Sequence, residues 1–243
     1  WNDRLASEDD YFVALGNVAL ANLEALARIR ADRDGWWIGS EGFGCDLADA
    51  DDEAGIRAAT RARDLQQAVW DLHLGLAPRG GAARLTDVVA DSIQSRIEAL
   101  VGVVPPDRII AGHDIYPVSV TVHGTRAGRP LSIADRVRAY EDEATAWHER
   151  YQVPFWVSET SNLGLPVDQG SEWLAALTAS LNTLSASGLP VRGICWYSRG
   201  DQYDWDTALM SPIGTVTEVG LFDAQRHPRP VAQHYATLAR RHP

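Results

Sequence analysis

A parallel α/β fold is what this 243-residue sequence predicts, on three observations. Short apolar runs alternate with long stretches of helical period, the sign of βα units. The apolar runs are continuous rather than alternating, as in strands covered on both faces. Each run opens at its C-terminal end into polar or acidic residues, the end at which parallel α/β proteins carry their sites.

The first helix is expected from Glu8 to Ala31. Phe12, Leu15, Val18, Ala19, Leu23, Leu26 and Ile29 recur at helical spacing, and Ser7-Glu8-Asp9-Asp10 offers a capping oxygen and first-turn acids. Trp36 to Glu41 reads as a buried strand ending in a carboxylate. Asp51–Gly75 and Leu85–Leu100 read as two amphipathic helices, separated by the breaker Pro78-Arg79-Gly80-Gly81. Arg108 to Pro117 is a second buried strand that runs into His113, Asp114 and Tyr116. A loop with Gly124, Gly128 and Pro130 leads to a helix over Ile133–Tyr151. Pro154 to Glu159 is the third strand, again ending in a carboxylate. A helix over Ser171–Ser187 follows, with Trp173, Leu174, Leu177 and Leu181 on one face. The fourth strand, Val191–Tyr197, opens into the loop Ser198–Asp206, and a helix over Pro230–Arg240 comes last. No glycine-rich phosphate loop stands at a strand–helix junction, which speaks against a nucleotide-binding doubly wound sheet. A closed (β/α)8 barrel needs eight strands and usually about 250 residues. Here a similar length yields four strands, so the expectation is one domain over residues 1–243, half of a (β/α)8 barrel.

Composition excludes several function classes. All 22 basic residues are arginine, and against 33 acidic residues they leave a formal charge of −11. That balance argues against nucleic-acid partners, which require clustered positive charge. Nine Trp and 45% hydrophobic residues exclude a disordered chain. Two cysteines exclude a disulfide scaffold and fit a reducing, cytoplasmic compartment. No uninterrupted apolar run approaches the roughly 20 residues of a membrane span. The chain opens on Trp1 with no signal-peptide pattern after it. The seven histidines are scattered, without a His-x-x-x-His pair beside an acid or a Cys-x-x-Cys, so no metal is expected. Ile38-Gly39-Ser40-Glu41-Gly42 lacks the spacing of a serine-hydrolase elbow. Cys195 falls within the fourth strand and reads as a buried thiol rather than a nucleophile.

Three groups of residues could carry chemistry. Glu41 and Glu159 both end strands; two carboxyl groups can divide the roles of proton donor and nucleophile, or each can pair with an arginine. The stretch Trp196-Tyr197-Ser198-Arg199-Gly200-Asp201-Gln202-Tyr203-Asp204-Trp205 interleaves aromatic rings with acids and an amide. Such a set suits sugars, which present apolar C–H faces and hydroxyl edges, although Trp and Tyr also fill cores. Tyr116, two residues beyond Asp114, offers a hydroxyl that could hold a carboxylate ionised and oriented, or bond to local backbone.

Tyr197 to Trp205 resembles the Trp-Ser-x-x-Asp-Asn-Phe-Glu-Trp signature after the eighth strand of family-1 glycoside hydrolases, the β-glucosidases and their relatives. Val219-Gly220-Leu221-Phe222-Asp223, with Arg226, Arg229 and Pro230, resembles that family's closing segments. Phe155 to Asn162 resembles strand seven with its nucleophile motif, and Asp114-Ile115-Tyr116-Pro117 resembles strand six. The resemblance implies strands five to eight of the barrel and a retaining β-glycosidase acting on short β-glycosides, without a cofactor. It makes Glu159 the nucleophile and Tyr116 its orienting partner. It gives Asp204 and Trp205 to the non-reducing sugar, with Trp196, Tyr197 and Gln202 lining the same pocket; Asp114, His113 and Glu41 are further candidate contacts. Asp204 stands where the family has the longer Glu, and Ser161 and Ile115 replace its usual Asn and Tyr. The family's strand-four Asn-Glu-Pro motif, which carries the general acid/base, has no counterpart here, as if the chain began after that strand. Association with the N-terminal half, or homo-oligomerisation, would then cover the open sheet. Two other readings stay open: a non-catalytic carbohydrate-binding half-barrel, and a different barrel hydrolase in which Glu41 is the acid partner of Glu159.

Overall fold

The computed structural model describes residues 7–205 and 210–241. Trp1-Asn2-Asp3 and Asp206, the last residue of the expected loop, lie outside them. Helix α1 (Glu8–Asp32) starts where Ser7 accepts a hydrogen bond from the Asp10 amide. By length and composition it could cross a membrane, with an 18-residue window of mean hydropathy 1.4. Its Phe12, Ala19, Leu20 and Leu23 are buried in a core shared with Ala68, Leu72, Leu85, Val89 and Ile97, and 28% of that window is buried. Helix α2 (Glu53–Leu74) is capped by Asp52 and ends at Gly75, whose φ of 69° is the left-handed conformation that glycine adopts without strain. The single helix expected over Leu85–Leu100 is two, α3 (Leu85–Val88) and α4 (Asp91–Leu100). The break is held by Gln94, whose side-chain amide donates to the carbonyls of Thr86 and Val89.

The main sheet is wholly parallel. An edge made of two short pieces, β1 (Trp37–Ile38) and β2 (Glu41–Gly42), pairs with β4 (Ile109–Asp114). Next come β6 (Phe155–Thr160) and β7 (Val191–Trp196). This order follows the chain without reversal, unlike a doubly wound sheet with its switch point. The first strand is not buried as expected: Trp36 is 52% and Ile38 59% exposed, because no strand lies beyond β1 among the described residues. Two small sheets occupy stretches without a strand pattern. In one, β3 (Cys45–Leu47) pairs parallel with β5 (Val120–Val122); in the other, β8 (Gln202–Tyr203) pairs antiparallel with β9 (Val216–Thr217).

Helices α5 (Ile133–Tyr151) and α6 (Gly170–Ala186) form as the sequence predicts, and α7 (Pro230–Arg241) is the last element. A capping box between Ser132 and Asp135 sets the start of α5. Trp147, Trp173, Tyr140 and Phe155 are fully buried between these helices and the sheet, each contributing about 2–3 kcal/mol of apolar burial. Helix α2 is tied to α5 by two ion pairs whose carboxylates are buried: Arg63 Nε meets Glu143 at 2.6 Å, and Arg150 Nη2 meets Asp71 at 2.7 Å.

Candidate active site

The C-terminal ends of β4 and β6 meet in register, Asp114 opposite Glu159. Gly112 permits this approach, since a Cβ there would lie 2.2 Å from the Gly39 carbonyl oxygen and 2.4 Å from Ser158 Oγ. Above this floor opens a cavity of about 650 Å3, lined by Asp114, Tyr116, Ser119, Glu159, Ser161, Leu163, Tyr197, Gln202, Trp205 and Val219, with Gly42. The two carboxylates are held by neutral hydroxyls. Tyr116 Oη donates to Glu159 Oε2 at 2.5 Å, and Ser40 and Ser158 donate to Asp114 Oδ1 at 2.8 and 2.6 Å. Burial first, then the hydrogen bond and charge of Glu159, raise the Tyr116 hydroxyl well above its usual range. It therefore stays a donor to Glu159.

Six expected residues thus share one cavity: Glu159, Tyr116, Asp114, Tyr197, Gln202 and Trp205. Tyr197, joined to Ser198 by a cis peptide bond, ends the wall that the Gln202–Trp205 segment continues. Four others lie elsewhere. His113 points from β4 into the core, its ring stacked on Phe43 and Phe155 with centroids 3.9 and 4.9 Å away. It is 1% exposed, so it is packing rather than a ligand contact. Trp196 is also buried, and its indole N–H donates to the Val219 carbonyl behind the cavity wall. Glu41 is paired in register with His113 and so shares the helix-facing side of the sheet, with Gly39 against Trp70 of α2 and Phe43 against Tyr140 of α5. Burial, then repulsion by Asp114, raise its carboxyl well above the usual range. Glu41 and Glu159 are therefore not brought together in the cavity. Asp204 has φ 56°, and its Oδ1 accepts from the amides of Ile213, Gly214 and Thr215 at 2.6–3.1 Å. It organises the loop and is not among the residues lining the cavity.

Sequence reasoning did not single out Ser40, Ser119, Ser158, Leu163 or Val219. Ser158 had a signal: as the residue before Glu159 on a strand that ends at the site, it was placed to meet the neighbouring strand. A smaller cavity of about 430 Å3, between β7, α6 and α7, is lined by Leu181, Val191, Ile194, Tyr235 and Leu238 among others. It has no carboxylate among its lining residues. Among the described residues no group of three or more His, Cys, Asp or Glu is placed to hold a metal ion.

Solved structures share this fold. The family-1 β-glucosidase of Thermotoga maritima matches with a TM-score of 0.74 at 12% identity, over 96% of this chain and 57% of that one. A β-glucosidase from Exiguobacterium marinum matches at TM-score 0.69 and 13% identity, over 97% of this chain and 58% of that one. The psychrophilic β-glucosidase of Micrococcus antarcticus matches at 0.68 and 15%, over 96% and 59%. The chain therefore has the fold of these β-glucosidases and spans somewhat more than half their length; the likeness carried by the sequence motifs extends to the backbone. No family model matches the sequence, and no curated protein matches it.

Proposed function

We propose that this chain is the half of a (β/α)8 barrel that carries the nucleophile of a retaining β-glycosidase for short β-glycosides. The observation behind this reading is the Tyr116–Glu159 hydrogen bond of 2.5 Å inside a cavity walled by Tyr197, Gln202 and Trp205. A carboxylate oriented by a hydroxyl donor is suited to attack an anomeric carbon, while rings and an amide suit a sugar's faces and hydroxyls. In the step, a Glu159 oxygen bonds to C1 as the bond from C1 to the leaving oxygen breaks, giving a glycosyl ester. Natural leaving groups need a proton from a general acid, and the family's Asn-Glu-Pro motif that carries it has no counterpart in this sequence. General acid assistance is worth about 10²- to 10⁴-fold, so the chain alone turns over natural glycosides poorly. An activated phenolate leaves without that proton.

The test is covalent trapping with 2,4-dinitrophenyl 2-deoxy-2-fluoro-β-glucoside, read by intact mass and peptide mapping. The label is expected on Glu159, with dinitrophenolate released in equal amount, and Glu159→Gln should abolish it. A label elsewhere, or unchanged labelling of E159Q, overturns the assignment. Sugar binding without any label would instead favour the non-catalytic carbohydrate-binding reading.

A further inference from the structure

The cavity wall formed by Gln202 and Trp205 is far in sequence from the Glu159 wall, and a short segment joins the two. Each end of Glu218–Leu221 is engaged by a different element. Asn162, three residues past Glu159, donates its side-chain N–H to the Glu218 carbonyl at 3.0 Å. Trp196 at the end of β7 donates to the Val219 carbonyl at 2.9 Å. The Gly220 amide donates to Asp201 Oδ1 at 3.0 Å, and the Leu221 amide to the Ser198 carbonyl at 3.0 Å. Arg229, immediately before α7, closes the arrangement: Nη1 and Nη2 form a fork on the Asp201 carboxylate at 2.5 and 2.9 Å, and Nη1 also reaches the Gly220 carbonyl. The Asp201 and Arg229 side chains are 2% and 13% exposed, so the fork is shielded from water. Gly220 lies flat against the loop, and a Cβ there would sit 2.4 Å from the Asp201 nitrogen.

We propose that the Glu218–Leu221 segment, locked by the Asp201–Arg229 fork, positions the Gln202–Trp205 wall against the Glu159 wall and so sets the fit of the sugar. Asp201 and Arg229 are positioning residues: neither lines the cavity, and they act through Val219, Gln202 and Trp205. The inference rests on the glycosidase reading above for its substrate, but the linkage it describes can be tested separately.

Asp201→Asn keeps an acceptor for Gly220 and removes the charge; Arg229→Lys keeps the charge and removes the fork. With the 2-fluoro glycoside, the concentration giving half-maximal labelling rate should rise about 10-fold in both variants, while the maximal rate stays within about two-fold. A purely structural role would lower the melting temperature without that split. Unchanged half-saturation in folded variants, or a matching fall in the maximal rate, overturns the proposal. Hydrogen exchange read by mass spectrometry supplies the independent arm. Residues 202–205 and 215–221 should exchange at least about 10-fold faster in D201N, with β6 unchanged. If the wild type takes no label but exchange responds, the glycosidase reading falls and the linkage stands. Unchanged exchange in D201N sinks the linkage itself.

Discussion

Replacing His113 with Phe should make the protein's stability less sensitive to acid. The imidazole lies between Phe43 and Phe155; Nδ1 shares a hydrogen bond with Tyr140 Oη at 3.2 Å, and Nε2 has no partner. Burial lowers its pKa from 6.5 to about 3. Below pH 6.5 the unfolded chain takes up a proton that the folded chain refuses until about pH 3, so stability falls as pH drops through that window. At about 1.4 kcal/mol per pH unit the whole gap is about 5 kcal/mol, of which about 2 kcal/mol is lost by pH 5. Phenylalanine keeps the stacked ring and abolishes the titration, but leaves the Tyr140 hydroxyl without its partner at a cost of about 1–3 kcal/mol, independent of pH. His73, whose pKa burial likewise lowers to about 4, titrates in both proteins and cancels from the comparison. Urea unfolding followed by circular dichroism at pH 7.5 and 5.0 provides the measurement. H113F should be the weaker protein at pH 7.5, and the difference should shrink by about 2 kcal/mol at pH 5.0. An equal difference at both values would refute the assignment of His113 as a buried neutral core residue.

Two further outcomes follow from the site and its supports. Tyr116→Phe removes the hydroxyl donor to Glu159; a hydrogen bond to a charged group is worth about 1.5–3 kcal/mol, so the maximal labelling rate should fall about 10- to 150-fold. Labelling of Y116F at the wild-type rate would show that the hydroxyl does not support the nucleophile. Arg150→Ala strips the guanidinium from Asp71, which is 1% exposed and would retain only the Tyr151 hydroxyl. Breaking such a pair costs about 3–5 kcal/mol, and a loss below about 1 kcal/mol in urea unfolding would mean that the pair does not fasten α2 to α5.

The limits of reading this sequence follow the physics of each element. Helices α5 and α6 were legible because their periodicity and, for α5, the Ser132 cap act locally. The edge strand was misread as buried because a run such as Trp36-Trp37-Ile38 records hydrophobicity and not what lies beside it. The gap between α3 and α4 has no Gly or Pro to announce it; a single side chain, Gln94, takes up the carbonyls. Strands β3 and β5, of three residues each, are too short to show a period. At the site, the missing information was parity. His113 and Asp114 are adjacent, as are Trp196 and Tyr197, yet the first of each pair enters the core and the second lines the cavity. Successive strand residues face opposite sides of a regular sheet, which parts His113 from Asp114, whereas the register shift between β4 and β6 at His113/Asp114 lets adjacent Ser158 and Glu159 both serve the site, Ser158 by its bond to Asp114. Tyr116 and Glu159, 43 positions apart, meet because the Asp114–Glu159 register brings two strand ends level. The same parity removes Glu41 along with His113: the two are register partners, and whichever side of the sheet takes the core aromatics takes Glu41 with them.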